Sequence, residues 1–351
     1  MNSNPKERQE TILIVDDLPD NLRLLFTLLM PQGYQVGKAL NGQMALKSAT
    51  SNPPDLILLD INMPNMDGYQ VCQQLKANVK TKDIPVIFIS ALDEVWDKVK
   101  AFKVGGIDYI TKPFQAEEVL ARVENQIKIQ ALQKALRKEQ EKSTEILLNI
   151  LPEAIVQELK YTDSSTPTQF EEATFLFADI AQFTPNSSLM PPVEVVALLN
   201  QVFTAFDQLV SKYSVEKIRT IGDSYFVSAG IPVIRPDHAQ AIANLALDMQ
   251  ATISQFHWPN GNQLQLRIGI NTGGPVVAAV IGTKKFAYDI WGDAVNIASR
   301  MESTGQPGKI QLTLLTATQL KHQYKLTHRG TIPIKGKSEM TTYWLESALP
   351  N

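Results

Sequence analysis

Two aspartates in the second half of the chain have the surroundings of metal-binding acids. Asp179 follows the apolar run Thr174, Phe175, Leu176, Phe177, Ala178, which reads as a buried strand delivering one carboxylate at its carboxyl end. Asp223 follows Gly222 between two β-rich runs, Val215 to Thr220 and Ser224 to Ala229, the pattern of a hairpin presenting an acid beside the first strand. Two such carboxylates can clamp divalent cations. Mg²⁺ takes oxygen ligands and usually completes its shell with substrate phosphates, so the chemistry indicated is two-metal phosphoryl or nucleotidyl transfer.

A second set of reactive groups lies in the first third of the chain. Asp16, Asp17, Asp60, Ser90 and Lys112 each stand at the end of an apolar run: Ile12 to Val15, Leu56 to Leu59, Ile84 to Ile89, and Tyr109 to Thr111. Clustered acids bind Mg²⁺, the metal screens an incoming phosphoryl group, and the Asp60 carboxylate attacks it as nucleophile. Ser90 and Lys112 then have a new charge to bond, which biases a two-state loop and sheet edge.

The elements that must position these groups follow from periodicity. In residues 9–127 the apolar runs alternate with helix patterns, such as Leu22, Leu25, Phe26 and Leu29 on one face, with a further strand around Tyr34 to Ala39 and a helix from about Gly42. Such alternation requires right-handed crossovers and a doubly wound parallel sheet, whose functional residues gather at the strand carboxyl ends. From Ala116 to Pro152 neither Gly nor Pro interrupts a long helix. Its apolar residues shift phase after Ile127, and Ile129, Leu132, Leu136, Ile146 and Ile150 form a heptad series broken by Glu139 and Ser143, consistent with a modest parallel coiled coil. The polar stretch Tyr161 to Thr168 reads as a loop. Beyond it come a helix at Pro191 to Tyr213, the hairpin, and a helix at about Pro236 to Phe256. Strands at Leu264 to Asn271 and Val276 to Ile281, a helix through Ala294 to Met301 and a β-rich end complete a two-layer α/β unit with an antiparallel-rich sheet. Trp291 reads as core.

The bulk numbers narrow the function classes. A chain of 351 residues exceeds a single typical core. Net charge of −3 offers no basic footprint for nucleic acid. No apolar run approaches the roughly 18 residues of a membrane span, and the opening MNSNPKERQE has no signal-peptide h-region, so a cytoplasmic location with no membrane insertion is expected. The single cysteine, Cys72, excludes internal disulfides and reads as buried filler, while His238, His257, His322 and His328 lack metal-ligand spacing.

The set in the first third of the chain resembles the receiver domain of two-component response regulators, whose fold is flavodoxin-like. The resemblance makes Asp60 the phosphoacceptor, Asp16 and Asp17 its Mg²⁺-binding acids, Ser90 the switch hydroxyl, Tyr109 the switch aromatic and Lys112 the phosphate partner, before a cis-prone Lys112-Pro113 step. FADIAQFT at Phe177, KIRTIGDSYFV at Lys217 and YDIWGDAVNIASRMES at Tyr288 resemble the class III nucleotide cyclase catalytic domain, an α+β ferredoxin-like fold, over residues 169–348. LLNILPEAIVQELK is similar to the transducing element preceding such domains, within a helical linker at 128–168.

This second resemblance implies two metal ions, Mg²⁺ or Mn²⁺, held by Asp179, Asp223 and the Ile180 carbonyl. It makes Arg267 and Lys335 triphosphate contacts, Asn296 the ribose-orienting amide, Arg300 the group that stabilises charge on the α-phosphate, and Arg219 and Asp289 the base-contacting pair. Acids and Asn296/Arg300 come from different subunits in that family, so a head-to-tail homodimer is implied. ATP is the expected substrate, because Asp289 can accept from the adenine 6-amino group and would repel the guanine 6-oxygen. A histidine kinase or phosphotransfer protein is the expected phosphoryl donor. The rivals are a guanylate cyclase and a non-catalytic phosphoreceiver whose cyclase-like half only dimerises or binds nucleotide. Arg219 departs from the usual Lys or Glu, and NTGGPVVAAVIG carries one Gly more than the family's usual stretch, which a β-bulge could absorb.

Overall fold

The computed structural model describes residues 9–91, 95–162, 164–282, 284–337 and 339–350, and divides into two compact units, Met1–Lys142 and Ser143–Asn351. Residues 1–8, the greater part of the opening segment read above, lie outside the described residues.

In the first unit strands and helices alternate: β1 (Thr11–Val15), α1 (Pro19–Leu29), β2 (Gln35–Ala39), α2 (Gly42–Ser51), β3 (Leu56–Asp60), α3 (Gly68–Ala77), β4 (Val86–Ser90), α4 (Val95–Lys103), β5 (Asp108–Thr111) and α5 (Ala116–Leu148). Every pairing is parallel and the order is β2-β1-β3-β4-β5, the flavodoxin-like doubly wound arrangement. Helices cover both faces, so β3 and β4 are buried at every residue and show no polar alternation. Cys72, on the buried face of α3, is fully buried, as filler. On α5, Val119, Val123 and Ile127 pack on the sheet, whereas Ile129, Leu132, Leu136 and Ile146 farther along are exposed.

The second unit contains α6 (Glu153–Thr162), β6 (Thr168–Phe170), β7 (Ala173–Ile180), α7 (Phe183–Ser187), α8 (Pro192–Tyr213), β8 (Glu216–Ile221), β9 (Ser224–Ala229) and α9 (His238–Ile253). There follow β10 (Leu266–Gly273), β11 (Val276–Ile281), β12 (Ala287–Trp291), α10 (Asp293–Ser303), β13 (Ile310–Thr313), α11 (Leu314–Leu320), β14 (Tyr324–Pro333) and β15 (Glu339–Ala348). Seven strands form one mixed sheet, β14-β15-β13-β10-β7-β9-β8, with only β10 and β13 parallel. Among the described residues α8 is long and apolar enough by composition to cross a membrane, and its Val202, Phe206 and Val210 are buried in the unit's core.

Four expectations are corrected here. The strand at Val276 to Ile281 leaves the main sheet and joins a separate three-stranded one, β12-β11-β6. Trp291 is 42% exposed, because β12 ends there at the edge of that small sheet. The additional glycine is absorbed without a bulge: β10 keeps register with β7 to Gly273, and a cis Gly274-Pro275 peptide leads straight into β11. The loop at Tyr161 to Thr168 is shorter than read, since Tyr161 and Thr162 end α6 and Thr168 opens β6; Asp163 lies outside the described residues.

α10 lies directly on β10. A Cβ on Gly269 would come within 1.9 Å of the Glu302 nitrogen and 2.4 Å of the Met301 carbonyl carbon, so only glycine permits this approach. Gly269→Ala must lift the helix off the strand, an overpacking penalty of about 3 kcal/mol. The urea midpoint of the isolated change is expected to fall accordingly, and an unaltered midpoint would show that α10 is not seated this closely.

Candidate active site

Antiparallel pairing of β7 with β9, Ala178 opposite Tyr225, brings the end of one strand to the start of the other. Asp179 is the penultimate residue of β7, and Asp223 sits with Gly222 in the two-residue turn between β8 and β9. Gly222 has φ of 62°, a conformation tight hairpin turns need and glycine adopts freely. Burial pushes the Asp223 carboxyl up to about 6, and the neighbouring charge of Asp179 adds to the rise; bonds from the backbone of Asp223 and Ile180 oppose it. Two half-buried carboxylates that destabilise each other's charge are a fitting seat for divalent cations, which relieve that repulsion. The residues present therefore fit a metal site.

Arg267 lies across the sheet from Asp179, in register on β10. Its Nη2 donates to Asp179 Oδ2 at 3.0 Å and its Nε to Glu302 Oε1 at 2.6 Å. Glu302 was not singled out from sequence, although the apolar face of α10 that carries it was legible. Burial pushes this carboxyl up to about 7 against the opposing pull of Arg267.

Arg219 owes its direction to a β-bulge. Lys217 pairs with Val227 but Arg219 pairs with Phe226, so the register slips at Ile218. The extra residue places Arg219 on the face of the sheet that carries Phe226. There its Nη1 donates to Asp289 Oδ2, while Asp289 Oδ1 accepts from the Ile290 amide at 2.9 Å. Asp289 is buried and Arg219 is exposed, so the arginine caps the carboxylate from the solvent side.

Asn296 and Arg300 are both exposed on α10, four residues apart and on one face. Among the described residues neither side chain makes a hydrogen bond or ion pair within the chain. Glu302, which faces the chain's own acids through Arg267, is two residues from Arg300, about 200° around the helix. Arg300 thus points away from Asp179 and Asp223 of the same chain. Lys335 is exposed in the turn between β14 and β15, and Lys337 Nζ, two residues on, reaches Asp293 Oδ2 in the first turn of α10 at 2.7 Å. The structure therefore joins Asp179, Asp223 and Arg267 in one group and Arg219 and Asp289 in another, and ties the Lys335 turn to the helix of Asn296 and Arg300.

In the first unit Asp16, Asp17 and Asp60 hold carboxylate oxygens within 4.8 Å of one another. Lys112 Nζ reaches Asp16 Oδ2 at 2.9 Å and Asp60 Oδ1 at 2.8 Å, across a cis Lys112-Pro113 peptide. Asp16 also accepts from the Leu18 amide and from Asn21. Burial raises the Asp60 carboxyl above its ordinary range and Lys112 opposes the rise. Ser90 ends β4 and is buried, and Tyr109 stands on β5 with its ring edge-on to Phe102.

Comparison with known proteins gives a match for each unit. The adenylate and guanylate cyclase catalytic domain family matches residues 166–347, just over half of the chain, and the response regulator receiver domain family matches residues 12–124. An adenylate cyclase of Mycobacterium tuberculosis is 45% identical over 208 residues, 59% of this chain and 47% of the relative. The human guanylate cyclase soluble subunit beta-2 is 41% identical over 219 residues, 62% of this chain and 35% of the relative. The chain thus spans less than half the length of these curated relatives. The guanylate cyclase domain of RhGC from Catenaria anguillulae, solved in complex with GTP, superposes with a TM-score of 0.50 at 36% identity, covering 52% of this chain and all of that domain.

Proposed function

Because the chain belongs to the adenylate and guanylate cyclase family through residues 166–347 and carries a response regulator receiver domain at 12–124, we propose that it is a response-regulator adenylate cyclase. In this reading it converts ATP to 3′,5′-cyclic AMP and pyrophosphate in a head-to-tail homodimer, under control of Asp60 phosphorylation by a histidine kinase or phosphotransfer protein.

The observation that carries the dimer is the orientation of α10. Arg300 and Asn296 face away from the acids of their own chain, so the acids they complement are those of a second copy, whose own α10 serves the first. Asp179, Asp223 and the Ile180 carbonyl would hold two Mg²⁺ or Mn²⁺ ions. Bound there, these would acidify the ribose 3′-hydroxyl and neutralise the leaving pyrophosphate. Arg300 contributes a planar guanidinium to the α-phosphate, Asn296 orients the ribose, and Arg267 and Lys335 meet the remaining phosphate oxygens. For Arg267 this requires it to exchange part of its bonding to Asp179 for substrate. The exposed heptad residues Ile129, Leu132, Leu136 and Ile146 supply a seam on which two copies can run parallel.

Base choice rests on Asp289. Each of its oxygens already accepts one bond, from Ile290 and Arg219, and each keeps a lone pair for the adenine 6-amino group. The same oxygens oppose the guanine 6-oxygen. Arg219 pairs with Asp289 and has further donors for the adenine N1. The expected result with purified protein and Mg²⁺ or Mn²⁺ is cyclic AMP from ATP, with kcat/KM about tenfold or more above that for GTP. Chromatography of the two products decides it: a GTP preference makes the protein a guanylate cyclase, the activity named for the human relative, and no product from either nucleotide makes the cyclase-like half a nucleotide-binding or dimerising module.

A further inference from the structure

The Asn271 carboxamide is 4% exposed near the carboxyl end of β10, yet both its ends are bonded. Nδ2 donates to the Ala294 carbonyl at 2.8 Å, and Oδ1 accepts from Thr313 Oγ1 at 2.8 Å. A carbonyl can only accept, so the amino end must be the one facing Ala294. Ala294 is the second residue of α10, the helix of Asn296 and Arg300.

The bond to Thr313 is one link of a buried chain. Thr313 Oγ1 meets Thr316 Oγ1 at 3.1 Å, and Thr316 Oγ1 accepts from the Thr272 amide at 2.8 Å. Thr272 Oγ1 meets Thr174 Oγ1 at 2.8 Å, and Thr174 Oγ1 meets His238 Nδ1 at 2.8 Å. Thr174, Thr272, Thr313 and Thr316 are each at most 2% exposed. The chain thereby ties β7, β13, α9 and α11 to Asn271 on β10, and among the described residues Asn271 is the member of it that bonds α10.

We propose that Asn271 is a positioning residue for cyclisation, setting the register of α10 along its axis and so the reach of Asn296 and Arg300. This rests on the cyclase reading above. The apolar contacts of Ala294, Val295, Ala298 and Met301 press the helix onto the unit but are non-directional, and the ion pairs of Glu302 with Arg267 and of Asp293 with Lys337 hold it through partly exposed, flexible side chains. A fully bonded polar network in a dry interior is directional and selects one arrangement. The side chains of Asn296 and Arg300 have no partner within the described chain, so the placement of α10 alone aims them. Misplacement of such groups by about 1 Å can cost on the order of 100-fold in rate.

The test uses the full chain. Asn271→Leu keeps the branched shape and removes both bonds; Asn271→His restores a donor and an acceptor on one planar group. The expected result for Asn271→Leu is kcat lowered about 10- to 100-fold with KM for ATP changed by less than roughly twofold, Asn271→His recovering most of the loss. Amide hydrogen exchange in the first turn of α10 should quicken in Asn271→Leu and return toward wild type in Asn271→His. A kcat within about twofold of wild type, a loss confined to KM, or equal impairment of the two variants overturns the proposal. If Asn271→Leu does not fold, Thr313→Val takes its place, removing the bond to Oδ1 together with the link to Thr316 while leaving the bond to Ala294: a fall in kcat of about 3- to 10-fold supports the proposal and an unchanged kcat overturns it. Should the wild type form no cyclic nucleotide, the cyclase reading fails by itself, and unchanged exchange at α10 still overturns the positioning role.

Discussion

Asp223→Ala is expected to lower cyclic nucleotide formation by about a thousandfold or more without loosening the fold. In the proposed two-metal site, removing one of the two acids forfeits several kcal/mol of charge stabilisation at the reacting phosphates, and each 1.4 kcal/mol is about tenfold in rate. The fold does not depend on that carboxylate. Burial and the charge of Asp179 both push Asp223 up to about 6, so at neutral pH its ionised form is less favourable folded than unfolded. Substitution by alanine relieves that strain, and the thermal midpoint should hold or rise while activity collapses. The same acids decide the dimer. Arg300→Ala alone should be equally inactive, because in the proposed head-to-tail dimer Arg300 serves the acids of a second chain. Mixed after denaturation and refolding, the two inactive variants should regain about a quarter of wild-type turnover, since half of randomly paired dimers combine unlike chains and each of those keeps one intact site of two. A mixture as inactive as its components would place both groups in one chain's own site and overturn the head-to-tail reading.

The sequence disclosed groups whose positions are fixed by local pattern and concealed those fixed by tertiary register. Asp16, Asp60 and Ser90 were legible because apolar runs must be buried and a parallel sheet collects their carboxyl ends; the doubly wound sheet follows from the alternation, and its order β2-β1-β3-β4-β5 is the flavodoxin-like one that the receiver resemblance implies. Asp179 and Asp223 were legible as a strand end and a hairpin turn. Glu302 was not, because its significance comes from Arg267 reaching it from another strand. Nor was the bulge at Ile218: nothing in KIRTIGD announces that Arg219 turns to the face of Asp289, yet that one-residue slip is what pairs the two side chains. Trp291 shows the converse error, a large apolar residue read as core that lies exposed at the edge of a small sheet. The threonines and Asn271 are ordinary strand and helix residues by composition, and their bonding appears only when four elements are superposed.

Asp60→Asn is expected to erase the response to a small phosphoryl donor such as acetyl phosphate with Mg²⁺, while leaving basal cyclase turnover within about twofold of wild type. Asp60 belongs to a cluster balanced by one cation: Lys112 bridges Asp16 and Asp60, and three carboxylates share the remaining space. A phosphoryl group on Asp60 adds charge of about −1.5 to −2, which the cluster cannot leave uncompensated. Lys112, already bonded to Asp60, and the buried hydroxyl of Ser90 stand at the ends of β5 and β4 on the same edge of the sheet, and these are the groups expected to bond it. Tyr109 stands on the same edge, so rearrangement there alters the exposed surface of the unit. The carboxamide introduced by Asp60→Asn keeps the shape and a hydrogen-bonding oxygen but cannot be an acyl-phosphate nucleophile. Intact-mass measurement should show one added phosphoryl group on the wild type, lost on alkaline treatment, and none on the variant. The change in cyclase rate, of either sign, should appear only with that mass. A variant that stays unmodified yet still responds fully to the donor would mean that the signal enters elsewhere, and Asp60 would then be no more than a structural member of the acid cluster.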